Sequence, residues 1–77
     1  MSVHTGEFRG CVISVTTEQY EDELFGPRHR VASVTVTRDG EDLRYPLATE
    51  LTGKDEAKLV ELAARGARTY IANRVPP

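Results

Sequence analysis

Asp39-Gly40 constrains the fold of this chain more than any other feature. The pair favours a two-residue type I′ hairpin turn, because both central positions of that turn need positive φ. Such a turn sets Arg38 opposite Glu41, and the register then dictates every later pair. Val36 faces Leu43, Val34 faces Tyr45 and Ala32 faces Leu47, so six apolar side chains share one surface. The other surface takes Thr37 with Asp42, Thr35 with Arg44, and Ser33 with Pro46. A slip of one residue destroys this sorting, so turn chemistry and hydrophobic pattern agree independently. Strands over 29–38 and 41–47 follow.

A further strand is expected over 8–17, where Cys11, Ile13 and Val15 alternate with Val12, Ser14 and Thr16, and where Gly10 is a candidate bulge. Residues 1–6 read as a flexible tail. The acidic run Glu18-Gln19-Tyr20-Glu21-Asp22-Glu23 and the following Leu24-Phe25-Gly26-Pro27 read as a loop closing in turn chemistry. A helix is expected over 53–74, with Thr52 as its N-cap, Asp55 three residues on, and Pro76-Pro77 stopping it. At 100° per residue Val60, Ala63, Ala64, Ala67, Tyr70 and Ile71 form one stripe, with Ala57 and Leu59 at its margins.

These elements predict an α+β fold: a three-stranded antiparallel meander, β-β-β-α in order, with one C-terminal helix packed across one face. At 77 residues the chain makes a single domain, 1–77, whose expected core holds Ile13, Val34, Val36, Leu43, Tyr45, Val60, Ala64, Ala67 and Ile71. A core this thin gains margin from oligomerisation. One Cys excludes an intramolecular disulfide framework, no apolar run is long enough to span a membrane, and the start lacks a signal-peptide pattern. A cytoplasmic protein is the expectation, with no membrane partner.

The net charge of −2 and pI of about 5.6 argue against a dedicated nucleic-acid binder. The charge is unevenly spread, however. Residues 1–51 carry five Arg against nine acids, and residues 52–77 carry five Lys and Arg against three acids. Lys54, Lys58, Arg65 and Arg68 gather on one helix side, where they are either a solvated outer face or a phosphate-binding stripe. The acidic run 18–23 is a candidate surface for a basic protein partner, with Tyr20 and Phe25 as anchors. His4 falls in the tail and His29 between Arg28 and Arg30 at a strand start, each read as solvated; Cys11 reads as a small core hydrophobe. No catalytic set, metal-ligand spacing or cofactor motif is found, so no enzyme, metal or cofactor is expected.

Two family resemblances bear on function. Thr52-Gly53-Lys54-Asp55-Glu56-Ala57-Lys58 is similar to the start of the last helix of double-stranded-RNA-binding domains, where a Lys-Lys-x-Ala-Lys run grips phosphates. Lys54, Ala57 and Lys58 match that run, and Asp55 stands at its second Lys. Over residues 8–72 the chain resembles short stand-alone bacterial β-β-β-α proteins of unknown function, on Phe8-Arg9-Gly10-Cys11-Val12-Ile13, Val36-Thr37-Arg38-Asp39-Gly40 and Ala67-Arg68-Thr69-Tyr70-Ile71. The second resemblance implies a fold and no activity. The expectation is a non-enzymatic cytoplasmic interaction module that forms a homodimer. Its expected contact is the uncharged strand edge Cys11, Val12, Ile13, Ser14, Val15 and Thr16, unless the 18–27 loop, with Leu24 and Phe25, folds back and covers that edge. The alternative is a weak duplex nucleic-acid binder using Lys54, Lys58, Arg65 and Arg68.

Overall fold

The computed structural model describes residues 1–47 and 50–75. Its elements in chain order are β1 (Ser2–Phe8), β2 (Cys11–Asp22), β3 (Gly26–Arg38), β4 (Glu41–Asp42), β5 (Thr52–Gly53) and α1 (Glu56–Arg74). The three long strands form an antiparallel meander, β1-β2-β3, and α1 packs across one of its faces. Short β4 and β5 pair with opposite ends of β3.

The expected architecture is present, but the strands that build it differ. Residues 2–8 are a strand, because Arg9 and Gly10 both adopt positive φ, 51° and 78°, and close a two-residue turn that sets Phe8 opposite Cys11. Gly10 therefore closes a hairpin instead of bulging a strand. The register runs from Phe8↔Cys11 to Ser2↔Thr17, so Cys11 to Thr16 is bonded to β1 on one side and β3 on the other. The segment expected to be a bare edge is the middle of the sheet.

The Asp39-Gly40 turn forms as expected, with φ of 52° and 81° and Arg38 opposite Glu41. The strand after it stops early. Asp42 accepts a hydrogen bond at 2.8 Å from the Arg44 N–H, and Arg44 takes a left-handed φ of 55°. This local side-chain turn competes with the ladder and turns the chain away. The Leu43 N–H still donates to the Val36 carbonyl at 2.8 Å, and the ladder goes no further. Tyr45 instead meets Tyr70 of α1 edge to face, ring centroids 5.2 Å apart. The chain returns to β3 only further along, where the Leu51 carbonyl accepts from the Val31 N–H and β5 pairs with His29 and Arg30.

A bulge decides which β3 residues face the helix. Thr16 pairs with Ser33 but Thr17 pairs with Val31, leaving Ala32 as the extra residue. Val31, Val34 and Val36 are therefore buried while Ala32 is exposed, which corrects the strict alternation expected from Val34. With Cys11, Ile13 and Val15 of β2, these valines meet Leu59, Ala63, Ala67 and Ile71 of α1, and Val75 closes one end. Leu59 and Ala63 thus lie at the centre of the helix stripe, and Ala57 is exposed. Of the other expected core members, Leu43, Tyr45 and Val60 pack at its border, half-buried, and Ala64 is half-buried as well.

The helix begins later than expected. Asp55 is the N-cap, accepting from the Lys58 N–H at 3.3 Å, and Thr52 belongs to β5. At the other end the Val75 N–H donates to the Ile71 carbonyl, and Pro76-Pro77, expected as the stop, lie outside the described residues.

Candidate functional site

Glu56 occupies the first helical position, where the partial positive charge of the helix N-terminus favours a carboxylate. It turns back onto the sheet instead of facing water. The Thr17 hydroxyl, fully buried on the helix side of β2, donates to Glu56 Oε2 at 3.0 Å. His4 Nε2 of β1 lies 3.5 Å from Oε1, and His29 Nδ1 of β3 lies 3.5 Å from Oε2. Both nitrogens are shielded from solvent and neither makes a hydrogen bond. One carboxylate thus sits where three strands and the helix meet, hydrogen-bonded to β2 alone.

This corrects two expectations, since His4 is not in a loose tail and His29 is not a solvated strand start. Both are half-buried, and they meet across Glu56. The Arg9-Gly10 turn is what makes this possible, because it gives Ser2, His4, Gly6 and Phe8 the same facing as Thr17, Val15, Ile13 and Cys11. Cys11, the expected core hydrophobe, is fully buried at the opposite end of the β1–β2 pair. Among the described residues no three His, Cys, Asp or Glu side chains converge as metal ligands.

A cleft of about 110 Å³ opens beside His4, between β1 and α1. Gly6 of β1, Ile13 and Val15 of β2, and Val60 and Ala64 of α1 line it. It exists because Gly6 brings no side chain to the helix-facing surface. A Cβ built at Gly6 would meet no atom within 4 Å.

The other side of β1 pairs with no strand among the described residues. A two-residue turn makes Phe8/Cys11 a mutually hydrogen-bonded pair, and antiparallel pairs alternate in this respect. The backbone groups of Ser2, His4, Gly6 and Phe8 therefore bond to β2, and those of Val3, Thr5 and Glu7 point outward from the sheet. That edge carries one charged side chain, Glu7, and no proline.

The remaining sequence candidates scatter. Lys58 and Arg65 are exposed on α1, Lys54 is exposed but lies before the helix and its Asp55 cap, and Arg68 is engaged by Glu61 at 2.7 Å, so the expected four-residue helix stripe is not formed as such. The acidic run is not a loop, since residues 18–22 continue β2 and pair with β3. Glu18 forms an ion pair with Arg30, and Arg30 also lies over the Tyr20 ring, 5.3 Å from its centroid. Asp22 accepts from the Leu24 and Phe25 N–H groups at 2.8 and 3.0 Å, which, with Arg28 nearby, hold its carboxyl below the usual 3.8. Leu24 and Phe25 stand exposed at the hairpin tip. Comparison with known proteins found no matching family model, no matching curated protein and no matching solved structure.

Proposed function

We propose that the protein is a non-enzymatic, cytoplasmic interaction module that associates with a second copy of itself along β1. The observation that carries this reading is the free β1 edge, from which the N–H and C=O groups of Val3, Thr5 and Glu7 point outward. An open edge with so little charge is a template for strand addition. Pairing of β1 with its copy about a two-fold axis is isologous and extends one sheet through both protomers. Both helices then lie on the same face, and the thin core of each copy gains a neighbour. The contact expected at Cys11–Thr16 thereby moves one strand outward, to Ser2–Phe8.

The test is the solution mass by light scattering after size exclusion, at about 100 μM protein, where even a micromolar dimer is populated. The expected value is twice the 8.5 kDa of one chain. Thr5→Pro removes an outward N–H and no bond to β2, and proline is tolerated on edge strands. It should give a monomer with unchanged far-UV circular dichroism. A monomeric parent protein, or a folded Thr5→Pro that remains dimeric, overturns the proposal.

A further inference from the structure

Resting on the self-association just proposed, we infer that the cleft beside Gly6 is a half-site completed by His4 of the second copy, in a register that sets Thr5 against Thr5. The outward backbone groups belong to Val3, Thr5 and Glu7, so a ladder between two copies must bond these residues to one another. Centring on Thr5 pairs all of them, Val3 with Glu7 and Thr5 with itself. Centring two residues' register to either side leaves one residue of each copy without a partner.

The helix-facing side chains select the same register independently. Along β1 they are Ser2, His4, Gly6 and Phe8. With Thr5 on the axis, Ser2 meets Phe8 and His4 meets Gly6, so each large side chain faces a small one. A ladder centred on His4 sets imidazole against imidazole. One centred on Gly6 sets His4 against Phe8 and leaves two glycines facing each other across an unfilled gap. Backbone and side chains thus agree on one register.

Size explains why this fit matters. Seven strand residues at about 3.4 Å each make an edge about 24 Å long. With the chain's smallest extent of 17 Å, the contact covers about 400 Å² per copy, at the small, transient end of protein interfaces. An interface that small depends on close packing at its centre, and the centre is the His4–Gly6 pair, repeated by symmetry. The cleft on each protomer, already walled by Val60 and Ala64 from above, gains its missing side from the partner's imidazole. The Glu56 carboxylate lies beside this imidazole in each protomer, 3.5 Å from His4 Nε2.

Two substitutions test this apart from dimerisation itself. In Gly6→Val the new Cβ meets no atom within 4 Å in the protomer and Gly6 has no left-handed φ, so the far-UV circular dichroism should match that of the parent protein. It fills the space required by the second His4, and the dissociation constant measured by sedimentation equilibrium should rise about tenfold or more. Thr5→Cys sets two thiols across the axis at a Cα separation of about 5.5 Å, within disulfide range. Mild oxidation should convert it to a covalent dimer, while Leu24→Cys, at the exposed hairpin tip, stays uncrosslinked. A parent dimer with Gly6→Val unweakened, or with Leu24→Cys crosslinking in place of Thr5→Cys, overturns the register and leaves self-association standing. A monomeric parent overturns both.

Discussion

Replacing Val31 by Ala and Ala32 by Lys tests the bulge that sets the whole inner face of β3. Val31 is 6% exposed and sits in the core, whereas Ala32 is exposed on the far side. Without the bulge, alternation from Val34 and Val36 reverses the two. Val31→Ala deletes two buried methyl groups, about 0.8 kcal/mol each from transfer alone. The cavity left between Val34 and α1 brings the total to about 2–3 kcal/mol. Ala32→Lys adds a solvated side chain and should cost about 0.5 kcal/mol or less. On the unbulged alternative the Lys is forced into the core, at about 3 kcal/mol or more, and Val31→Ala is nearly neutral. Urea unfolding at fixed protein concentration separates these outcomes, because with a slope of about 1 kcal/mol per molar the Val31→Ala midpoint falls by about 2–3 M. If Ala32→Lys is the costlier substitution, the bulge and the core assignment built on it are wrong.

Two further outcomes follow from particular contacts. Asp22 has its carboxyl held low by the Leu24 and Phe25 N–H groups, so its stabilising effect is present above its ordinary 3.8 and is lost as pH falls through its lower folded-state value. The stability difference between the parent protein and Asp22→Ala, from urea midpoints across an acid series, should therefore shrink in that window; a difference independent of pH contradicts the capping role. Gly66→Ala in mid-helix ordinarily stabilises by about 1 kcal/mol, but here the new Cβ lies 2.7 Å from Tyr45 Oη. The gain should vanish and the near-ultraviolet signal of the Tyr45–Tyr70 pair should change, and a full gain with an unchanged spectrum shows that the tyrosine is not seated there.

The parts of the fold legible in sequence were those coded within a few residues. Asp39-Gly40 announced its turn because Asp and Gly are common at positive φ, whereas Arg9-Gly10 adopts the same geometry behind a residue that rarely does. Missing that turn hid β1, and with it the facing of His4 and the identity of the free edge. The early end of β4 had a local sign in Asp42 two residues before Arg44, but hydrophobic alternation through Leu43, Tyr45 and Leu47 argued more strongly for a strand. Asp55 rather than Thr52 caps the helix because the chain at Thr52-Gly53 is held by His29 and Arg30 of β3, a tertiary pairing that sequence does not display. The Glu56 cluster was illegible for the same reason. It draws residues 4, 17, 29 and 56 from four elements, and no spacing in a linear chain reports such a meeting.

The order of elements has a consequence during synthesis. Every strand of the long meander precedes α1, and each is joined to the next by a tight local turn. Hairpins of this kind close in about 1–10 μs. Until α1 joins them, strands that close this early hold Cys11, Ile13, Val15, Val31, Val34 and Val36 on a surface with no helix to cover it. The emerging chain therefore passes through an adhesive state that the finished protein never visits, and its cellular yield should depend on chaperone capacity and translation speed more than its final stability suggests.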